Sequence, residues 1–528
     1  MTERLASIWN AIERHPRLAA LALGALGATA YPPLHLWPIG LLSVAGLIAL
    51  LRKADGWRNA AALGWLFGWA HLSVANNWIA TAFTYQAEMP AALGWIAVPL
   101  LCIYLAVYPA LAAVAAHRLG RSAGPLAFAG LFAACWIVTE WLRSWVFTGY
   151  PWPPLGLMLL GEWNAPGIAR LLPWFGTYAL SGIVVLIAGG LALLAARRRW
   201  VPLLASAVAL AALMYWPAPE PAQGTVRYTL VQPLIPQEEI NDASKFEEQF
   251  QRTARLTAPG GEQRRLVLWP ESAVPDYLED GYPQRYYDHT TANADPAFAR
   301  QRIGSILGDG NMLLTGLVHL DIGEVGGVRR ALSARNAVSA IDSEGDIELT
   351  YAKAHLVPYG EYLPLKWLLE PLGLTRLVAG GIEFEPGPGP RTLDLGAFGK
   401  AGIQICYEIV FSGQVVEHGR RPDYIFNPSN DGWFGAWGPP QHLAQARMRA
   451  LEEGLPVLRA TTTGISAVID ADGVVRDAIT RGRADRVDGL IPPAEDPTLF
   501  ARLGNLLALL WAGLIGAASL VAMRRRRV

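Results

Sequence analysis

Eight apolar runs decide what this chain can become. Seven fall before residue 220: Leu18–Tyr31, Leu36–Leu51, Ala60–Phe83, Ala91–Ala116, Pro125–Trp145, Tyr178–Ala196 and Val201–Trp216; the eighth is Leu503–Met523. Crossing a bilayer takes about 20 mostly apolar residues, because the hydrocarbon core is roughly 30 Å thick and a helix rises about 1.5 Å per residue. Lipid admits such segments as helices that satisfy their own backbone. The first two runs are short and are expected to form a hairpin around Tyr31-Pro32-Pro33, or to be partly re-entrant. Composition agrees, with 52% hydrophobic and 17% charged residues, against about 25% charged in soluble domains.

Basic residues mark the cytoplasmic side of such a bundle. Arg14 and Arg17 precede the first run, Arg52, Lys53 and Arg58 follow the second, and Arg118 and Arg121 the fourth. Arg197–Arg199 follow the sixth and Arg524–Arg527 the eighth. All of these clusters share one side if seven helices precede residue 220. Gln86, Glu88, the Pro- and Trp-rich stretch 150–175 and the whole of 217–502 then fall on the other, extracytoplasmic side. Arg4, Arg14 and Arg17 with the first run do not read as a cleavable signal, since no small-residue cleavage site leads into a soluble chain. A formal charge of zero and a pI near 7.1, with no basic stripe, argue against nucleic acid as a partner. Glu140 and Arg143 are spaced to pair on one helical face. They read either as a structural ion pair near the membrane surface or as the floor of a lipid headgroup site. The aromatic stretch 147–152 after them suits the interface.

From about Gln223 the texture changes to short β-rich runs: Tyr228–Gln232, Leu266–Trp269, Met312–Leu317, Asn336–Ile341, Gly402–Cys406, Tyr424–Asn427, Val457–Ala460 and Ser466–Ile469. Most are continuously apolar, as strands buried on both faces are. Helical patterns intervene at Ala243–Thr257, Pro296–Leu307 and Gln441–Gly454, so a layered α/β domain is expected. The segment Tyr359–Gly381 is long and aromatic for a loop, and is expected to dip toward the bilayer as a lid.

Three polar motifs close apolar strands: Trp269-Pro270-Glu271-Ser272, Lys353-Ala354-His355-Leu356-Val357-Pro358-Tyr359-Gly360-Glu361, and Cys406-Tyr407-Glu408. Cys102 and Cys135 lie in apolar runs, so Cys406 has no partner for an internal disulfide in the polar part. A thiol is mostly protonated at neutral pH and needs a base to become a nucleophile. A carboxylate can take its proton, and a lysine ammonium can steady the thiolate and the oxyanion of a tetrahedral intermediate. Cys406, Lys353 and Glu271 therefore make a complete acyl-transfer set. No metal-ligand spacing is present, and neither metal nor cofactor is expected.

In that order and context, Glu271, Lys353 and Cys406 resemble the nitrilase, or carbon–nitrogen hydrolase, superfamily over about residues 225–490. The resemblance implies an αββα sandwich with Cys406 as nucleophile, Glu271 as base and Lys353 as oxyanion partner. With Thr139–Arg143, Val231-Gln232, Ser429–Gly435, Gln441-His442 and Ala446–Ala450 added, nearly the whole chain resembles one membrane branch, the bacterial apolipoprotein N-acyltransferases. That implies a transmembrane helical domain of seven helices at 1–220, an extracytoplasmic catalytic domain at 221–495, and a C-terminal helix with a basic cytoplasmic tail at 496–528. It further implies the bacterial inner membrane as location, a phospholipid acyl donor, a diacylglyceryl-modified lipoprotein as acceptor, and a monomer. Carried over residue by residue, Glu361 is a second carboxylate beside Lys353 and Glu408 orients the centre. Tyr407 offers its backbone N–H to the oxyanion, Asn336 is an active-site asparagine, and Trp433 shapes the pocket. Relatives often carry a tryptophan just after the Ile235-Pro236-Gln237 segment, whereas here Glu238-Glu239-Ile240-Asn241 follows. Two other readings stay open: a membrane-anchored amidase that uses water in place of the amine, and a transporter-like bundle with a regulatory domain, for which His71, Asn76 and Asn77 would line a path.

Overall fold

The computed structural model describes residues 14–85, 90–258, 264–369, 371 and 382–525. Arg4, Gln86, Glu88, Arg526, Arg527 and most of 370–381 lie outside the described residues.

The apolar runs are helices: α1 (Pro16–Ala28), α2 (Trp37–Arg52), α3 (Trp57–Ala75), α4 (Ala92–Gly120), α5 (Pro125–Arg143), α6 (Leu172–Ala196) and α7 (Trp200–Tyr215). Small residues let them approach closely, as helices do where apolar burial gives no driving force. A Cβ on Gly24 would lie 2.2 Å from the Phe67 carbonyl oxygen, and one on Gly64 would lie 2.6 Å from Ala113 Cβ. Of the eight runs, α4, α5, the stretch Ile168–Ala196 and the final helix are long and apolar enough to span a membrane. Helices α1, α2 and α7 have 13, 16 and 16 residues.

Glu140 and Arg143 sit 3.6 Å apart in the buried end of α5. Arg143 donates to the carbonyls of Trp152 and Pro153 (3.3 and 2.9 Å), and Glu140 accepts from the Leu155 N–H at 2.8 Å. The pair is thus committed to clamping the 152–155 loop. His71 Nε2 and the Tyr31 hydroxyl are 2.8 Å apart, and Asn76 accepts from the Tyr150 hydroxyl at 2.8 Å, so both polar groups join neighbouring segments.

The β-rich part forms two six-stranded sheets. One contains β1 (Arg227–Gln232), β2 (Leu266–Leu268), β3 (Met312–Val325), β4 (Val328–Asp342), β5 (Ile347–Ala352) and, beyond β1, the late strand Asp485–Leu490. The other runs outward from β6 (Thr392–Asp394) through β7 (Lys400–Ile403), β8 (Tyr424–Ser429), β9 (Val457–Thr461) and β10 (Ser466–Ile469) to β11 (Val475–Ile479). The strands β1-β2-β3 are parallel, as are β7-β8-β9. Alternation sorts the first sheet's side chains. Leu266, Leu268 and Leu314 enter the core shared with Ile403, Ile425 and Leu458 of the second sheet. Val267 and Leu313 point outward, under Ile303 and Leu307 of α9 (Pro296–Leu307); α8 (Phe246–Thr257) covers the same side. On the second sheet lies α10 (Gly438–Glu453). Its Leu443, Ala446 and Ala450 belong to the sandwich core, while Ala444, Met448 and Leu451 pack with the membrane-type helices. One helix layer of the αββα sandwich is therefore also the seat of the helical bundle. The last helix, α11 (Asn505–Arg524), packs on that bundle through Ala508 and Ala512.

Candidate active site

Glu271, Lys353 and Cys406 lie just beyond the ends of β2, β5 and β7; β2 and β7 belong to the parallel parts of their sheets, and the ends of parallel strands are where open sheets place ligands. Glu271 follows β2. Its turn leans on β3 at Gly316, which donates to the Pro270 carbonyl at 3.1 Å. A Cβ at Gly316 would lie 2.5 Å from Glu271 Cα, so this close approach requires glycine. Asn336 lies on β4, and Lys353 follows β5 alongside it, donating its N–H to the Asn336 carbonyl at 2.8 Å. Glu361 ends a turn in which its carboxylate accepts from the Val357 N–H at 2.7 Å.

These four side chains form one box. The Asn336 amide donates to Glu271 at 2.7 Å and to Glu361 at 2.9 Å. The Lys353 ammonium lies 3.0 Å from Glu361 and 3.5 Å from Glu271. The other Glu271 oxygen accepts from the Asn430 N–H at 2.7 Å. Lys353, Glu271 and Cys406 are 1%, 6% and 5% exposed. Burial alone would lower the Lys353 pKa, but Glu361, Glu271 and Cys406 outweigh it and raise it above the ordinary lysine value. The ammonium form of Lys353 is therefore favoured.

Cys406 borders the box, and this corrects one expectation. The strand stops at Ile403, and Cys406 opens a single helical turn, Cys406–Val410, with φ of 49°. That left-handed conformation costs a non-glycine residue roughly 1–2 kcal/mol. Burial pushes the thiol well above its usual pKa, and Glu271 adds to this; Lys353 and the Asn430 N–H pull the other way. With two carboxylates and one ammonium already present, a thiolate would add a second net negative charge. The resting sulfur is a thiol, and its proton must pass to a base as it attacks.

Glu408 holds this turn. One oxygen accepts from the Ile405 N–H at 2.7 Å; the other accepts from the N–H groups of Ala354 and His355 (2.7 and 3.1 Å) and from the Tyr351 hydroxyl at 2.8 Å. It thereby ties the cysteine turn to the Lys353 segment. Burial raises its carboxyl to about 7, against those donors. The Tyr407 side chain points to the helical half, its hydroxyl 3.4 Å from the Gly149 carbonyl. Trp433 is half-buried; it meets Tyr85 of the helical half edge-on at 5.8 Å and packs against the sandwich core. Of the 359–381 segment, the described part ends in a short helix, Lys366–Leu369, with Tyr359, Leu365, Trp367 and Leu368 exposed.

A second polar group packs against the cysteine turn from the side of β8, β9 and α10. Gln237 accepts from the Asn430 amide at 2.6 Å. Arg459 of β9 donates to both oxygens of Asp431 (2.7 and 2.8 Å) and to Ser429 at 2.9 Å. His442 Nε2 donates to the Cys406 carbonyl at 3.0 Å, and its Nδ1 is 3.0 Å from Asp431. An arginine inside the apolar strand Val457–Ala460 was the available signal, since a buried charge needs a partner.

The Carbon-nitrogen hydrolase family model matches residues 229–483, the part of the chain that forms the sandwich. The model for the Apolipoprotein N-acyltransferase N-terminal domain matches residues 23–190. Curated proteins named Apolipoprotein N-acyltransferase are similar over nearly the full chain. The one from Rhodopseudomonas palustris is 34% identical, covering 96% of this chain and 95% of its own. That from Nitrosomonas europaea is 32% identical, covering 97% and 98%. The chain belongs to the apolipoprotein N-acyltransferase family. Among solved structures, an amidase from Nesterenkonia sp. AN1 aligns at a TM-score of 0.33 and 16% identity, over 56% of this chain and 95% of that one, too distant to bear on the chemistry.

Proposed function

We propose that this acyltransferase moves an acyl chain from a membrane phospholipid, through a thioester on Cys406, to the N-terminal amine of a diacylglyceryl-cysteine lipoprotein. Cys406 Sγ attacks the ester carbonyl while Glu271 takes the thiol proton. Lys353 stabilises the oxyanion, with the Tyr407 N–H as a second donor. The carbon–oxygen bond to glycerol breaks, Glu271 returns the proton to that oxygen, and lysophospholipid leaves. The amine then attacks the thioester and gives a proton to Glu271. The carbon–sulfur bond breaks and the sulfur is reprotonated. Glu361 positions Lys353 through their 3.0 Å contact, Glu408 and Asn336 hold the centre together, and Trp433 lines the approach from the helices.

The observation that carries this reading is the shared box, with one buried cation between two carboxylates beside a buried thiol. It can move one proton back and forth at constant charge, which a two-step acyl exchange needs. The bilayer setting follows from the charge pattern. Eight helices span the bacterial inner membrane, with 1–220 as the helical domain. The catalytic domain at 221–495 lies on the periplasmic side, 496–528 returns to the cytoplasm, and the protein acts as a monomer. The seating of α10 on the helices supports a site at the membrane surface, where both lipid substrates reside.

The test is to incubate purified protein with phospholipid and a diacylglyceryl-cysteine peptide, and separately with a soluble amide. The expected result is an N-acylated peptide together with lysophospholipid. Hydrolysis of the soluble amide with no acylated peptide would establish the amidase reading instead.

A further inference from the structure

We propose that His442 is a positioning residue that keeps Cys406 in its left-handed turn by donating to the cysteine's own carbonyl. The inference rests on Cys406 being the nucleophile. A carbonyl oxygen can only accept, so the 3.0 Å contact between His442 Nε2 and Cys406 fixes the proton on Nε2. Cys406 has a φ of 49°. In that conformation its side chain leaves the turn toward Glu271, Lys353 and the Asn430 N–H, the groups that set its charge. Rotation of the peptide after Cys406 would break the His442 contact and undo the turn from which the sulfur projects. The donor on the carbonyl therefore holds the backbone turn that presents the sulfur.

His442 is held firmly enough to do this. Its exposure is 0%, so neither solvent nor substrate reaches it. With the proton on Nε2, Nδ1 accepts from the Arg459 guanidinium at 3.0 Å, and Arg459 is itself paired with Asp431. The ring packs against Trp152 and Phe434, with centroids 5.2 and 5.4 Å away. One residue earlier, Gln441 accepts from the Trp152 indole at 2.8 Å and donates to the carbonyls of Pro32 and Ala75, both at 3.2 Å. The start of α10 is thus pinned into three segments of the helical half, and the next side chain reaches the nucleophile. The helical bundle helps hold the turn that presents the sulfur as well as anchoring the sandwich.

Two variants separate this from a purely structural role. His442→Phe keeps an aromatic ring and the Arg459–Asp431 pair, but removes the donor to Cys406 together with the Nδ1 acceptor that Arg459 meets. His442→Gln places an amide N–H at a similar reach. The readout is single-turnover acylation of Cys406 by phospholipid in full-length protein, followed by intact mass, with unfolding temperature recorded in parallel. H442F is expected to slow the saturated rate about 10- to 100-fold, as loss of one buried hydrogen bond would, with the half-saturating phospholipid concentration unchanged. H442Q is expected within about threefold of the unmodified protein. H442F at the unmodified rate overturns the inference, as does an H442Q that is as slow as H442F or does not fold. If the unmodified protein forms no adduct on Cys406, it is the nucleophile assignment that fails.

Discussion

Glu408→Gln tests how the cysteine turn is built. The glutamate serves four donors through two oxygens. A glutamine fits the same space and can point its carbonyl at the three donors on one side: Ala354 N–H, His355 N–H and the Tyr351 hydroxyl. Its amide NH2 then faces the Ile405 N–H, which the glutamate met at 2.7 Å. The reverse orientation sets the Ala354 and His355 N–H groups against the NH2 and is worse. One buried N–H left unpaired costs about 1–3 kcal/mol. Ile405 immediately precedes the nucleophile, so a loss of about 2 kcal/mol borne by the turn slows acylation roughly 30-fold. The assay is single-turnover acylation of Cys406 by labelled phospholipid, with thermal unfolding as control. A rate within about threefold of the unmodified protein, at unchanged stability, would refute the view that Glu408 holds the turn.

Other perturbations probe neighbouring features. Gly316→Ala puts a methyl 2.5 Å from Glu271 Cα; overpacking of about 1–3 kcal/mol should lower both the unfolding temperature and the acylation rate, and a normal rate would mean that the Glu271 turn is not fixed by β3. Lys353→Met leaves the buried Glu271 and the half-buried Glu361 without their cation, which costs about 3–5 kcal/mol when a buried pair is broken, and acylation should become undetectable by intact mass. Glu453 on α10 has its carboxyl raised from the ordinary value of 4.5 to about 7, first by burial and then by Glu452. The folded state therefore holds a proton that the unfolded state has released. The stability this lends is present below about pH 4.5 and lost as pH rises toward 7, roughly 2 kcal/mol of it above pH 5.5. Comparing unfolding of Glu453→Gln and the unmodified protein at pH 5.5 and 8 should show a flatter dependence in the variant, and equal slopes would contradict it.

Much of this was legible because it rests on local signals. Most apolar runs became helices near their expected ends, but the Ala60–Phe83 helix stops at Ala75 before a separate turn at Ile79–Ala82, and the Tyr178–Ala196 helix begins earlier, at Leu172. The central strands were read from continuous apolar stretches such as Leu266–Leu268. Glu271, Lys353, Glu361 and Asn336 meet as their motifs implied. Strands β5 and β11 and the late strand Asp485–Leu490 were missed because they are half-exposed and carry alternating polar residues; β6 has only three residues. The left-handed turn at Cys406 was not legible either, because Gly402–Cys406 reads as one uninterrupted strand. The partners that hold that turn come from distant parts of the chain. Arg447 is a further case: a charged residue reads as exposed by default, yet it is 1% exposed and donates to the carbonyls of Gly161, Glu162, Ala165 and Gly473. Only the seating of α10 between sheet and bundle explains its burial.

The central claim is that Cys406 becomes the acyl carrier. Incubating the full-length protein with phospholipid of a single known acyl chain, without acceptor, and weighing the peptide that contains Cys406 tests this directly. The expected result is a mass increase of one acyl group on that peptide. It should be absent in Cys406→Ala and should disappear when a diacylglyceryl-cysteine peptide is added. Acylated acceptor formed at the normal rate by Cys406→Ala would contradict the account.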